Sequence, residues 1–353
     1  MATQLRLNKH SACGQQRRWV KSIAVKIGSL LLLPLFALGA MAGPAQVLRS
    51  AETQPLDYPT AQALTFMAEQ LQEWSQGELN IKLYTGGQLG DEKDTLELTI
   101  LGGIDLNRVN LAPLNSIVPE TIVFGMPFLF RSIAHMRAVV DGPIGDEILA
   151  AMEAHGLVGL AFYDSGARSF YNNVRPIRTP KDLKGLKIRV QNSDLYVSMV
   201  AALGANPTPM GFGQVYESLL LGTIDGSENN WPSYETTGHY EAAPFYSLTE
   251  HTMTPEVLVV SKHRWDKLSP EHQVLLKRAA KASVPFMRAQ WDLRTEKSRQ
   301  KIIAAGVTVA ADVDKAAFEA AVQPVYDRFI ATPELRALIA RIRAVEPRPK
   351  SGI

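Results

Sequence analysis

The chain has 353 residues, 46% of them hydrophobic and 20% charged, with a single cysteine. This balance supports a packed core and excludes a disordered, collagen-like or disulfide-stapled chain. One cysteine also excludes a four-cysteine zinc site and a CxxC redox pair.

The formal charge of +2 misleads, because it comes from the N-terminus. Residues 1–43 carry six basic residues (Arg6, Lys9, Arg17, Arg18, Lys21, Lys26) and no acidic one. The apolar block from Leu30 to Leu38 follows, then Ala40-Met41-Ala42, which reads as an A-x-A cleavage site. These are the three parts of a secretory signal peptide, removed from the mature chain. A membrane anchor is the alternative, but the block is short and Pro34 interrupts it. Arg17-Arg18 fits a twin-arginine export signal only loosely. Without this segment the charge is about −4, so no basic field remains for nucleic acid. Cys13 would leave with the signal, and the mature protein would be stabilised by its core alone.

In the mature chain, Asp57-Tyr58-Pro59 opens a helix, with Leu64, Met67, Leu71 and Trp74 at helical spacing and Gly77 at its end. Leu79–Tyr84 alternates as a strand, and residues 86–90 form a turn. A second helix, Asp91 to Leu101, stops at Gly102-Gly103, and Ile104–Val109 is the next strand. Further on come a strand at Leu186–Val190, a helix at Ser193–Leu203, an extended Pro207–Met210 and a helix at Phe212–Leu221. Short strands follow at Thr223–Gly226 and Val257–Val260. A long helix runs from Ser269-Pro270-Glu271 to about Ala305. Two strand–helix–strand units imply an α/β protein of two lobes with a cleft between them, where ligands usually bind.

No GxSxG, HExxH or P-loop occurs, and Gly211-Phe212-Gly213 lacks the third glycine of a dinucleotide turn. No two histidines stand at i, i+4, so no metal site is apparent. His239 and His251 read as surface or satisfied core residues. No nucleophile or base stands out, and no cofactor is implied.

Residues 175–190 read RPIRTPKDLKGLKIRV, residues 202–210 ALGANPTPM and residues 217–231 ESLLLGTIDGSENNW. The first half adds SQG at 75–77, GQLGDE at 87–92 and GID at 103–105, and GARSFYNN stands at 166–173. Together these motifs closely resemble the DctP-type substrate-binding proteins of tripartite ATP-independent periplasmic (TRAP) transporters. The resemblance implies a two-lobed, Venus-flytrap-like periplasmic receptor, without catalysis, with discontinuous lobes joined by a long helix. Residues 44–167 plus about 256–295 would form lobe I. Residues 168–255 plus about 296–353 would form lobe II and the C-terminal helices. The implied partners are an organic acid and the small and large integral membrane subunits of a permease, with the receptor a monomer.

The resemblance also places site residues. Arg189, on the strand reading Lys-Ile-Arg-Val, matches the family arginine that grips the ligand carboxylate. A planar guanidinium suits a carboxylate with two parallel hydrogen bonds. Asn229 matches a family asparagine on the same carboxylate, and Arg168 a second arginine that binds or closes over the acid. Phe212 is a candidate apolar wall, and Asn192 a candidate ligand contact or helix cap. In the first lobe, Thr53 or Gln54, Glu92 and Asn110 align with specificity positions, with Arg108 as a third cation sharing a strand face with Asn110. Sialic-acid binders have an acidic residue where Asn110 stands. This polar rim suits a hydroxylated acid, with hexuronates first and C4-dicarboxylates or aldonates as alternatives. A secreted sugar-acid enzyme on a similar fold is the competing class.

Overall fold

A computed structural model describes residues 45–347. The expected signal peptide lies outside the described residues. In chain order the strands are β1 (Gln46–Ala51), β2 (Leu79–Tyr84), β3 (Leu106–Asn110), β4 (Leu157–Tyr163), β5 (Arg168–Asn172) and β6 (Lys187–Val190). They continue as β7 (Asn206–Pro209), β8 (Gly226–Asn229), β9 (Phe245–Thr252), β10 (Glu256–Ser261) and β11 (Thr308–Ala310).

The strands form two sheets, one per lobe, in the orders β2-β1-β3-β10-β4 and β11-β9-β5-β8-β6-β7. In the first, β1 runs parallel to β2 and β3, while β10 runs antiparallel to β3 and β4. In the second, β6 runs parallel to β7 and β8, and β5 antiparallel to β8 and β9. The chain leaves the first sheet after Tyr163 and enters the second at Arg168. It returns between Thr252 and Glu256. Both lobes are therefore discontinuous in sequence, and short crossings separate them.

The helix Pro59–Trp74 forms where its apolar spacing requires, with proline in the first turn. Leu64, Met67 and Leu71 pack with Leu48, Leu106 and Leu258 of the first sheet. Each such burial stabilises by about 1.5–3 kcal/mol. The long helix Pro270–Ala304 spans 35 residues, starts at a Ser269 cap and passes through Pro285 without ending. Pro285 sits on an exposed face, so the carbonyl it leaves without a donor can turn to water. Leu276, Ala280, Met287 and Trp291 of this helix join the first-lobe core. Further along, Arg294 and Lys301 bond Glu235, which lies in the second-lobe helix Trp231–Thr236. The final helix, Pro333–Ala344, returns to first-lobe elements. Its Arg341 pairs with Glu147 at 2.7 Å, and the Ile342 carbonyl meets His135 Nε2 at 2.9 Å. Among the described residues no helix is long and apolar enough to cross a membrane.

One strand departs from the sequence expectation. The expected strand at Thr223–Gly226 is observed at Gly226–Asn229, while Ile224 is buried in the turn before it. Gly-Ser-Glu-Asn reads as a turn by composition, but β5 and β6 flank it and impose extended pairing.

Candidate functional site

On β6, Ile188 and Val190 point into the apolar core, so Arg189 faces the other way. It does not reach bulk solvent, being only 3% exposed. Its Nε and Nη2 donate to the Met210 carbonyl at 3.1 and 2.8 Å. The ring of Phe212 lies 5.8 Å from its guanidinium carbon. Among the described residues no carboxylate comes within ion-pair distance of it. Burial pulls its pKa down, as expected for a cation taken from water.

Arg168, the first residue of β5, is different. Nε and Nη2 hold the two carboxylate oxygens of Glu228 at 2.6 and 2.8 Å, and Nη1 donates to Asn229 Oδ1 at 2.9 Å. Burial alone would raise the Glu228 carboxyl, but Arg168 and His251 hold it down at about 2. Every nitrogen of the Arg168 guanidinium group is thus already bonded. Asn229, the last residue of β8, also accepts from the Asn230 amide at 2.9 Å, so its side-chain amide group is fixed with Nδ2 left as a donor.

Three carboxylates gather on Arg108 in the first lobe. Nε donates to Glu52 Oε2 and Nη1 to Glu92 Oε1, each at 2.9 Å, and Glu256 Oε2 lies 3.2 Å from Nη1. Glu92 opens the helix Glu92–Ile100 and also accepts from the Asn110 amide and side chain. Burial, then the neighbouring Glu256, pushes the Glu92 carboxyl up to about 7. Glu256, at the start of β10, is also raised by burial.

These groups meet at the crossings between the lobes, mostly at strand ends, which is where open α/β sheets bind ligands. Thr53, Gln54, Glu92, Asn110 and Glu256 line one wall of a cavity. Arg168, Arg189, Gln191, Phe212, Asn229 and Ser233 line the other, with Ser165 at the crossing. The cavity measures about 20 Å³. One water needs about 10–15 Å³, so the two walls nearly touch. Two buried acceptors on these walls, Gln54 Oε1 and Gln191 Oε1, have no hydrogen-bond partner, and Glu256 Oε2 has only its ion pair with Arg108. Among the described residues no cluster of His, Cys, Asp or Glu is arranged to hold a metal ion.

Of the sequence candidates, Arg189, Arg168, Asn229, Phe212, Glu92, Asn110 and Gln54 come together here. Arg108 lies fully buried behind the wall, where it holds Glu92 and Glu256 rather than facing the cavity. Asn192 stands apart from this cavity: it is exposed and lines a separate groove with Lys93 and Asn115. The chain turns after β6, and Gln191, two residues from Arg189 on the same face, reaches the cavity instead. That alternation could have nominated Gln191. Ser165, Ser233 and Glu256 carried no comparable signal. His239 and His251 are core residues. His239 Nδ1 meets the Tyr171 hydroxyl at 2.7 Å, and His251 stacks on Phe170.

Residues 50–332 match the family model described as bacterial extracellular solute-binding protein, family 7. The chain belongs to that family. A solute-binding protein of Chromohalobacter salexigens is 40% identical over 328 residues, covering 93% of this chain and 98% of the relative. Among solved structures, a TRAP periplasmic solute-binding protein of Xanthobacter autotrophicus with bound β-D-galacturonate is 55% identical. It superposes with a TM-score of 0.83 over 85% of this chain and 100% of that one. A TRAP periplasmic solute-binding protein of Roseobacter denitrificans with bound β-D-glucuronate is 41% identical, with a TM-score of 0.83 and the same coverage. The two-lobed architecture with its long helix is that of these family members, and the cavity lies between the lobes.

Proposed function

We propose that this chain is the periplasmic receptor of a TRAP transporter, that it captures a hexuronate such as galacturonate or glucuronate, and that it hands the acid unchanged to the small and large membrane subunits. The observation that carries this reading is Arg189: a buried guanidinium without a carboxylate partner, facing a cavity with two unpartnered acceptors, Gln54 Oε1 and Gln191 Oε1. A buried cation left in this state is costly unless an anion completes it. The unpartnered acceptors call for hydroxyl donors. One carboxylate and several hydroxyls describe a sugar acid, and relatives of similar sequence hold hexuronates.

Because the walls nearly touch, ligand access requires the lobes to part. Arg189 and Asn229 would take the carboxylate from the second lobe, with Arg168 holding the Asn229 amide in orientation. Gln54, Glu92, Asn110 and Glu256 would then bond the hydroxyls as the lobes close. Contacts from both walls favour the closed state through their differential affinity for it. The test is calorimetry of the purified protein with galacturonate, glucuronate, malate and erythronate, with recovery of the ligand afterwards. Tight binding of a uronate that is recovered unchanged is the expected result. Preference for malate, or chemical turnover of the uronate, would overturn the reading.

A further inference from the structure

The cavity has walls of opposite electrical character. On the second-lobe side Arg168 is neutralised by Glu228, which leaves Arg189 as the cation free for an anion. On the first-lobe side Glu52, Glu92 and Glu256 share the single guanidinium of Arg108, and Glu92 and Glu256 line the cavity. The side chains of Arg108 and Glu52 are fully buried and that of Glu256 is 2% exposed, so water screens this surplus of carboxylates poorly.

Resting on the receptor reading above, we propose that the three carboxylates gathered on Arg108 make the first-lobe wall a charge filter: it admits an acid with one carboxylate and a hydroxylated far end, and refuses a dicarboxylate of the same length. A ligand that spans the cavity from Arg189 brings its far end against Glu92 and Glu256. A hydroxyl there donates to Glu256 Oε2, whose ion-pair partner is Arg108 Nη1 at 3.2 Å and which makes no well-aligned hydrogen bond of its own. A second carboxylate there has nothing to donate. It also meets no free cation, because the Arg108 nitrogens are held by Glu52, Thr53, Glu92 and Glu256. Specificity of this kind comes from repulsion as much as from attraction.

The experiment is titration calorimetry of the mature protein with galacturonate, galactonate and galactarate. Galactonate is an open-chain monoacid, so it separates loss of the sugar ring from gain of a charge. The expected order places galactarate at least about a hundredfold below galacturonate and about tenfold or more below galactonate. Glu256→Gln keeps the side-chain size and leaves Arg108 paired with Glu52 and Glu92, and Glu92→Gln is the second variant. Either should narrow the gap between galactarate and the monoacids by about tenfold. A native protein that binds galactarate as tightly as the monoacids would overturn the filter and leave the receptor reading standing. So would a gap that both variants leave unchanged. A native protein that binds none of the three acids would overturn the receptor reading, and the filter with it.

Discussion

Arg168 Nη1 stands 2.9 Å from Asn229 Oδ1, at the point where the chain has just crossed between the lobes. The same guanidinium holds both oxygens of Glu228. Arg168, which lines the cavity, therefore also clamps another residue of its wall. It fixes the Asn229 amide so that the amide nitrogen remains available on the cavity wall.

Glu228→Gln tests this arrangement. It leaves the Arg168 charge buried without a counter-charge, which should cost about 3–5 kcal/mol of stability. Urea unfolding would measure it. Combining it with Arg168→Met should recover much of that stability, because neither charge is then buried. Uronate affinity should stay low in the double variant, since nothing orients Asn229. Recovery of both properties together would remove the clamp role.

Arg189 should behave in the opposite way. No carboxylate pairs with it among the described residues, so Arg189→Met removes a buried charge and its desolvation penalty. The melting temperature of the ligand-free variant should not fall. Affinity for a uronate should drop by about 2–5 kcal/mol, roughly thirtyfold or more. Arg189→Lys should also weaken binding, because a point charge cannot reproduce the two-pronged geometry. A variant that loses stability and keeps affinity would assign Arg189 to the core.

Two buried groups give stability opposite dependences on pH. Burial, then Arg189, lowers the His239 ring from 6.5 to about 3. Below 6.5 the unfolded chain binds a proton that the folded protein refuses, so this contribution is complete above 6.5 and is lost as pH falls toward 3. Glu92 is raised from 4.5 to about 7. Its contribution is complete below 4.5 and is lost as pH rises through 7. Relative to the native protein, His239→Asn should therefore gain stability as pH is lowered from 6.5. Glu92→Gln should gain it as pH is raised from 4.5 to 7. Melting temperatures at half-unit pH steps would give both slopes, and a pH-independent difference for either variant would contradict its assignment.

How legible was this site in the sequence? Alternation of Ile188, Arg189 and Val190 set the arginine opposite two core side chains, and motif resemblance singled it out as a candidate for the ligand carboxylate. Sequence could not tell that Arg108 and Arg168 are neutralised while Arg189 is not. Their partners arrive from far along the chain, Glu52 at a separation of 56 residues and Glu228 at 60. The position of β8 was hidden for a related reason. Its Gly-Ser-Glu-Asn run has no strand propensity, and neighbouring strands together with the Arg168 charge make it a buried strand. Helices with regular apolar spacing, such as Pro59–Trp74, were legible because their signal is local.

Closure itself can be tested at Gly211. A Cβ there would stand 2.0 Å from Asp91 Oδ2 and 2.7 Å from its Cγ. Asp91 precedes the first-lobe helix Glu92–Ile100, whereas Gly211 follows β7 of the second lobe, so this contact exists only when the lobes are together. Gly211 has φ of −57°, which alanine adopts without strain. Gly211→Ala should therefore leave each lobe intact and penalise only the closed state, weakening uronate binding by about three- to tenfold. Asp91→Ala in the same chain removes the obstructing carboxylate and should restore most of the lost affinity, a coupling that a double-mutant cycle reads directly. Additive losses from the two substitutions would mean that the walls do not meet here when ligand is bound.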